Sequence, residues 1–317
     1  MKHLLLIPLF TAIVTAQPFI PQNLNETILT IKTTSQTKQI SLLLETLKTE
    51  GEDLTKIDEL LKLYIQLAKK QSDLRYIGYA QTILKPLLKK YPNDYILTMH
   101  HVDMLQYTHH FDEALFLLKG LTETSIKAPK PYLVTATIYQ AQQKYSLALG
   151  SCKKLLFRSS HLLSTTCIAT MKSHLGKLPQ SYELLKTTYA KAINEQGSEK
   201  AWALTSLSDM AYRLNQKDKA LFYLDEVLKL DQNDYYALKK TADIYLEQKK
   251  YTKVENLLEK FKHVDALFLR LTVAHHQLNQ NIELEKSILQ AHINTLHLRD
   301  EQPHQEDVKL LTLLDIK

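Results

Sequence analysis

The sequence predicts an all-α chain built as an array of antiparallel helix pairs, with extra helices at both ends. Three observations carry that prediction. Breakers are few, six Gly and nine Pro in 317 residues, so long stretches of Leu, Lys, Ala and Gln run without interruption. A small residue returns at a fixed interval: 34 residues from Ala80 to Ala114, 34 from Ala114 to Ala148 and 34 from Ala220 to Val254. Around each one the apolar residues stand three and four apart, the spacing of an amphipathic helix. The length admits two compact domains or one elongated array, and a 34-residue period selects the array.

Residues 1–16 are read separately. Lys2 and His3 make a short basic start, Leu4 to Val14 is almost uninterrupted apolar sequence, and Val14-Thr15-Ala16 supplies small residues before Gln17. This is the layout of a secretory signal peptide cut after Ala16. The apolar stretch is about half the ~20 residues that a membrane-spanning helix needs. The expectation is an exported, periplasmic chain with no membrane span after cleavage. Residues 17–60 are expected to hold capping helices, with Ile40, Leu42, Leu43 and Leu47 as an apolar face.

From 61 to 262 the array is expected to comprise about six pairs. Four segments place an aromatic residue or its equivalent three positions before a small one: Ile77 with Ala80, Phe111 with Ala114, Tyr145 with Ala148 and Lys217 with Ala220. Tyr251 with Val254 is a fifth, and the 72 residues from Ala148 to Ala220 leave room for a divergent pair centred on Ser181. Tyr91-Pro92-Asn93-Asp94 and Leu230 to Asp234 read as turns and caps between pairs. Residues 263–317 are read as a further pair over 264–297, a loop from Glu301 to Glu306 around Pro303, and a closing helix from Val308 to Ile316.

The pattern resembles the tetratricopeptide repeat (TPR) family, W-x2-L-G-x2-Y followed by A-x3-F and P. Tyr64, Leu67, Ala68, Ala80, Leu84 and Pro92 stand at those positions in the first repeat, with Gln71 in place of the second aromatic. Tyr132, Ala136, Tyr139, Tyr145, Ala148 and Cys152 match in kind in the third, and Leu238, Ala242, Tyr245, Tyr251 and Leu258 in the sixth. The resemblance implies a right-handed solenoid whose ligands lie in a concave groove lined by the first helix of each pair. Carried onto this chain, it points to Trp202, Thr205, Asp209, Tyr212, Arg213, Tyr236, Lys239 and Asp243. Trp202 is the only Trp. Aromatics with Arg are enriched at binding hot spots, but a large residue near a helix start also packs between repeats. Some TPR co-chaperones clamp a peptide carboxylate with Lys, Asn and Arg. Here Asp103, Asp209 and Asp243 replace the helpful Asn, which argues against such a clamp and for a mixed polar groove.

Cys152 and Cys167 are expected on neighbouring antiparallel helices, almost equidistant from a turn over Arg158 to His161. Their Cα atoms then fall within the ~7 Å that a disulfide requires, and export favours the bond. Two buried free thiols are the alternative.

Charge and motifs exclude other classes. The net +6, or +5 without Lys2, is spread thinly with no run of five basic residues, unlike a nucleic-acid surface. No P-loop, G-x-S-x-G elbow, dinucleotide glycine pattern or H-E-x-x-H is present, so no enzyme, no catalytic residue and no cofactor is predicted. His100-His101, His109-His110 and His275-His276 invite a metal- or small-ligand-binding alternative. Adjacent His point ~100° apart on a helix, so each doublet offers one ligand to any site, and no metal residue is assigned. The prediction is a non-enzymatic interaction or assembly scaffold of the bacterial cell envelope, whose groove receives another protein or an extended peptide.

Overall fold

The computed structural model describes residues 35–316 except 72–73, 126, 193–194, 196, 299–302 and 304; the expected signal peptide lies outside the described residues. The chain forms two units, Met1–Glu52 and Asp53–Lys317. The first is described through one helix, α1 (Ser35–Glu50), on which Ile40 and Leu43 are buried and Leu42 is exposed.

The second unit is a succession of helix pairs, with no strand among the described residues. They are α2 (Leu54–Gln71) with α3 (Arg75–Lys90), α4 (Tyr95–Tyr107) with α5 (Phe111–Thr124), and α6 (Pro129–Ala141) with α7 (Tyr145–Lys153). Next come α8 (His161–His174) with α9 (Leu178–Lys191), α10 (Gly197–Arg213) with α11 (Lys217–Leu230), and α12 (Tyr235–Glu247) with α13 (Tyr251–Leu258). The pair α14 (Asp265–Gln277) and α15 (Glu283–Leu298) and a single helix, α16 (Gln305–Leu313), complete it.

Each pair forms for the reason the period suggested. Ala80, Ala114, Ala148, Ser181, Ala220 and Val254 are all 2% exposed or less; a small side chain there lets two helices approach, and larger neighbours fill the flanks. Between pairs, short polar side chains start the next helix. Asp94 Oδ1 accepts from Leu97 N at 2.8 Å, Asp234 Oδ1 from Ala237 N at 2.8 Å and Ser160 Oγ from Leu163 N at 2.9 Å. Within pairs, each of the six described turns puts one residue in the left-handed region: His109, Gln143, Gly176, Asn215, Lys249 and Asn279. The next amide reaches back five residues, as from Lys250 N to Tyr245 O at 2.9 Å, closing a Schellman motif each time.

Three boundaries differ from the sequence reading. The first pair begins at Leu54, not 61, because Asp53 Oδ1 caps Thr55 N at 2.8 Å and Lys56 N at 3.1 Å. α7 stops at Lys153, where i to i+3 bonds tighten the chain ahead of Phe157 at φ 64°, so the turn is longer than Arg158 to His161. The closing helix starts at Gln305, inside the expected loop. Glu306 and Asp307 favour a helix N-terminus, where the backbone dipole is positive.

From α4 onward the core passes from pair to pair, because single helices serve two clusters. Ala237 and Ile244 of α12 pack with α8 to α11, while Leu238 and Ala242 of the same helix pack with α13 to α16.

Candidate functional site

Polar contacts join the first helix of one pair to the first helix of the next. His100 Nε2 of α4 lies 2.7 Å from Asp58 Oδ1 of α2. Lys130 of α6 donates to Asp103 of α4 at 2.8 Å, and Gln106 to Thr137 at 3.0 Å. Arg213 of α10 donates to the Ser173 carbonyl of α8 at 2.8 Å and to its own Asp209 at 3.0 Å. Tyr212 of α10 donates to Glu247 of α12. Arg270 of α14 donates to Asp243 of α12 at 2.6 Å.

A cleft of about 460 Å³ opens beside the last of these rungs, between α10, α12 and α16. Six of the eight predicted groove residues line it: Thr205, Asp209, Tyr212, Arg213, Tyr236 and Asp243. Lys239 stands beside the cleft and ion-pairs with Glu306 at 2.9 Å. Trp202 does not line it. Half-buried, it packs instead on the cluster of Ala136, Ala148, Cys152, Leu155 and Cys167. A ring that close to the start of α10 reaches the neighbouring pair before it reaches the cleft.

The cleft is amphipathic. Tyr212 and Tyr236 are 38% and 47% exposed, and Ile244, Leu246 and Leu310 supply apolar wall. Asp209, Asp243, Glu247 and Glu306 face Arg213, Lys240, Arg270 and Lys309, a balanced set. The hydrogen bond to Glu247, with burial, pushes the Tyr212 phenol up to about 12. Burial of its hydroxyl end, with the nearby acids, pushes Tyr236 up to about 12. Burial raises the Asp243 carboxyl above its ordinary value even though Arg270 pulls the other way. Glu306 is drawn down to about 2, chiefly by its hydrogen bond from Lys239. Both tyrosines therefore stay neutral donors at ordinary pH, and the site offers hydrogen bonds and apolar contact.

The C-terminal wall was missed by the sequence reading. Arg270, Glu306, Lys309 and Leu310 come from outside the expected repeats. The available signal was Arg270 itself, set among Leu267, Leu269, Leu271 and Val273; a cation in such a run needs carboxylates brought to it. The three Asp that depart from the clamp pattern are occupied: Asp103 by Lys130, Asp209 by Arg213 and Asp243 by Arg270.

Cys152 and Cys167 are joined as a disulfide between α7 and α8, with Cα atoms 5.4 Å apart. The His doublets disperse. His100 faces Asp58, while His101 lies by Phe116 and Glu113. His110 Nδ1 meets Thr108 at 2.8 Å, and His275 Nδ1 meets Glu285 at 2.7 Å. Among the described residues no three His, Cys, Asp or Glu gather to hold a metal, and no helix is long and apolar enough to cross a membrane.

No family model matches the chain, and no curated protein matches it either. Solved structures do. The Cut9–Hcn1 hetero-tetramer of the APC/C is similar over 86% of this chain at TM-score 0.53 and 12% identity, and the chain spans about half (51%) of that one. The apo quorum sensor NprR from B. thuringiensis is similar over 89% of this chain and 93% of its own, at TM-score 0.50 and 14% identity. A tetratricopeptide repeat protein from Parabacteroides merdae is similar over 79% of this chain and 98% of its own, at TM-score 0.47 and 15% identity. Together with the 34-residue helix pairs, the first two of these likenesses show the fold. The fold is that of a TPR array. The cleft lies between the first helices of the fifth and sixth pairs, α10 and α12, and α16 forms one of its walls.

Proposed function

We propose that this TPR protein is a non-enzymatic interaction scaffold that binds another protein, or an extended segment of one, in the cleft between α10, α12 and α16. One observation carries the reading. Six residues from two successive repeats converge on a single amphipathic cleft with two partly exposed tyrosines and an arginine, the residue types that dominate protein-binding hot spots. The Cut9–Hcn1 structure, a hetero-tetramer, is an instance of a similar architecture within a protein assembly. The basic, apolar and small-residue succession of residues 1–16 supports export, and with it a partner in the bacterial cell envelope.

The test is capture by cross-linking in the envelope of the native host, with mass spectrometry, using the full signal-bearing chain. Tyr212→Ala with Tyr236→Ala removes two partly exposed side chains and the Tyr212–Glu247 hydrogen bond, while leaving the Arg213–Ser173 and Arg270–Asp243 rungs in place. Loss of one captured envelope protein by tenfold or more, with the thermal midpoint within a few degrees of the parent, supports the groove reading. Identical capture by both chains overturns it.

A further inference from the structure

One wall of the cleft is α16, through Glu306, Lys309 and Leu310. α16 lies against α12 and α14, the first helices of the last two pairs, where a groove ligand would lie. Its first turn carries two carboxylates, and both are met by cations of those helices. Glu306 accepts from Lys239 at 2.9 Å and Lys240 at 3.2 Å, and Asp307 accepts from Arg270 at 2.8 Å. Arg270 is 1% exposed and shared with Asp243. Behind the acids, Leu311, Leu314 and Ile316 enter one core with Leu267, Leu271 and Ile282.

From this seating we infer that α16 is a built-in occupant of the groove, and that the partner recognised here is an amphipathic helix headed by paired carboxylates. The inference rests on the groove reading above and names its partner class. Two features make exchange physical. α16 is only nine residues long, and it leaves the 460 Å³ beside Thr205, Tyr212 and Arg213 unfilled. A longer acid-headed helix repeats the contacts to Lys239, Lys240 and Arg270 and adds those to Tyr212 and Arg213 that α16 does not reach. The tethered helix has the advantage of effective concentration, on the order of millimolar, so an incoming helix must compete at that level or gain from the extra contacts.

The experiment uses the full chain and, as probe, an isotope-labelled synthetic peptide of residues 303–317, Pro303 to Lys317. Hydrogen exchange is read separately over α16 and over α10. At millimolar peptide, exchange across the protein's own α16 is expected to rise tenfold or more while α10 stays protected. The same peptide carrying Glu306→Gln and Asp307→Asn is expected to leave α16 unchanged. In a second arm, Lys239→Ala with Lys240→Ala in the full chain raises α16 exchange without any peptide. An α16 that stays protected against saturating peptide and in the lysine variant overturns the proposal. So does equal displacement by the two peptides, because the carboxylates would then not be what is read. If α16 exchanges as expected but the tyrosine variant still captures its envelope protein, the groove reading falls and the exchangeable helix stands.

Discussion

At the scale of single residues, Arg270 decides how the C-terminal region is built. A guanidinium that is 1% exposed cannot stand alone, and it draws Asp243 and Asp307 from two other helices. The left-handed turn residues make a second residue-scale case. Five of the six are not glycine, and Lys249 holds φ 56°. A side chain there costs about 1–2 kcal/mol, partly offset by the entropy that glycine would lose. Lys249→Gly is therefore expected to stabilise the chain by about 0.5–1 kcal/mol in chemical denaturation. Gly176→Ala is expected to destabilise it, because its φ is +79° although nothing lies within 4 Å of an added Cβ.

At the scale of elements, the disulfide ties the short α7 to α8, the first helix of the next pair. Its helix has nine residues where α5, α9 and α11 have fourteen. The bond closes a loop with a sequence separation of 15, for which a loss of about 3 kcal/mol is expected when it is removed. Cys152→Ala with Cys167→Ala should lower the guanidinium midpoint accordingly. Trp202, packed on the same cluster, is the natural fluorescence reporter, and a transition unchanged by the double substitution would remove the bond from any stabilising role.

At the scale of the whole repeat unit, two ionisable rungs sit at opposite ends and answer to different pH ranges. His100, between α2 and α4, is held below the ordinary imidazole value by burial, which outweighs the pull of Asp58. The unfolded chain therefore binds its proton more readily, and this end loses stability as pH falls below about 6.5. Glu306, between α12 and α16, is drawn down to about 2. Its contribution is present above the ordinary carboxylate value and is lost only as pH falls from about 4.5 toward 2. Repeat arrays couple mainly through nearest neighbours. Hydrogen exchange should then show α2 and α4 loosening between pH 7 and 5 while α16 stays protected, with α16 following in stronger acid. Simultaneous loosening of both ends would mean that the array unfolds as one cooperative block.

The period was legible because its cause is local. Ala80, Ala114, Ala148 and Ala220 are small because two helices meet at each, and that requirement repeats every 34 residues wherever a pair repeats. The same register carried Thr205, Asp209, Tyr212, Arg213, Tyr236 and Asp243 to the cleft they line, since residues equivalent in the period face the same way. Trp202 departed from that register because a ring of its size finds the neighbouring pair's core first. The end wall could not be read in this way. Glu306 and Asp307 lie 67 and 37 residues from Lys239 and Arg270, and no periodicity links a closing helix to the cations it meets. By itself the sequence determined the helix pairs, their spacing and the faces of their first helices, all set by neighbours a few residues away. Only the tertiary structure decided where the cleft ends, because burying Arg270 requires, beside Asp243, a second carboxylate that the chain returns to supply from α16.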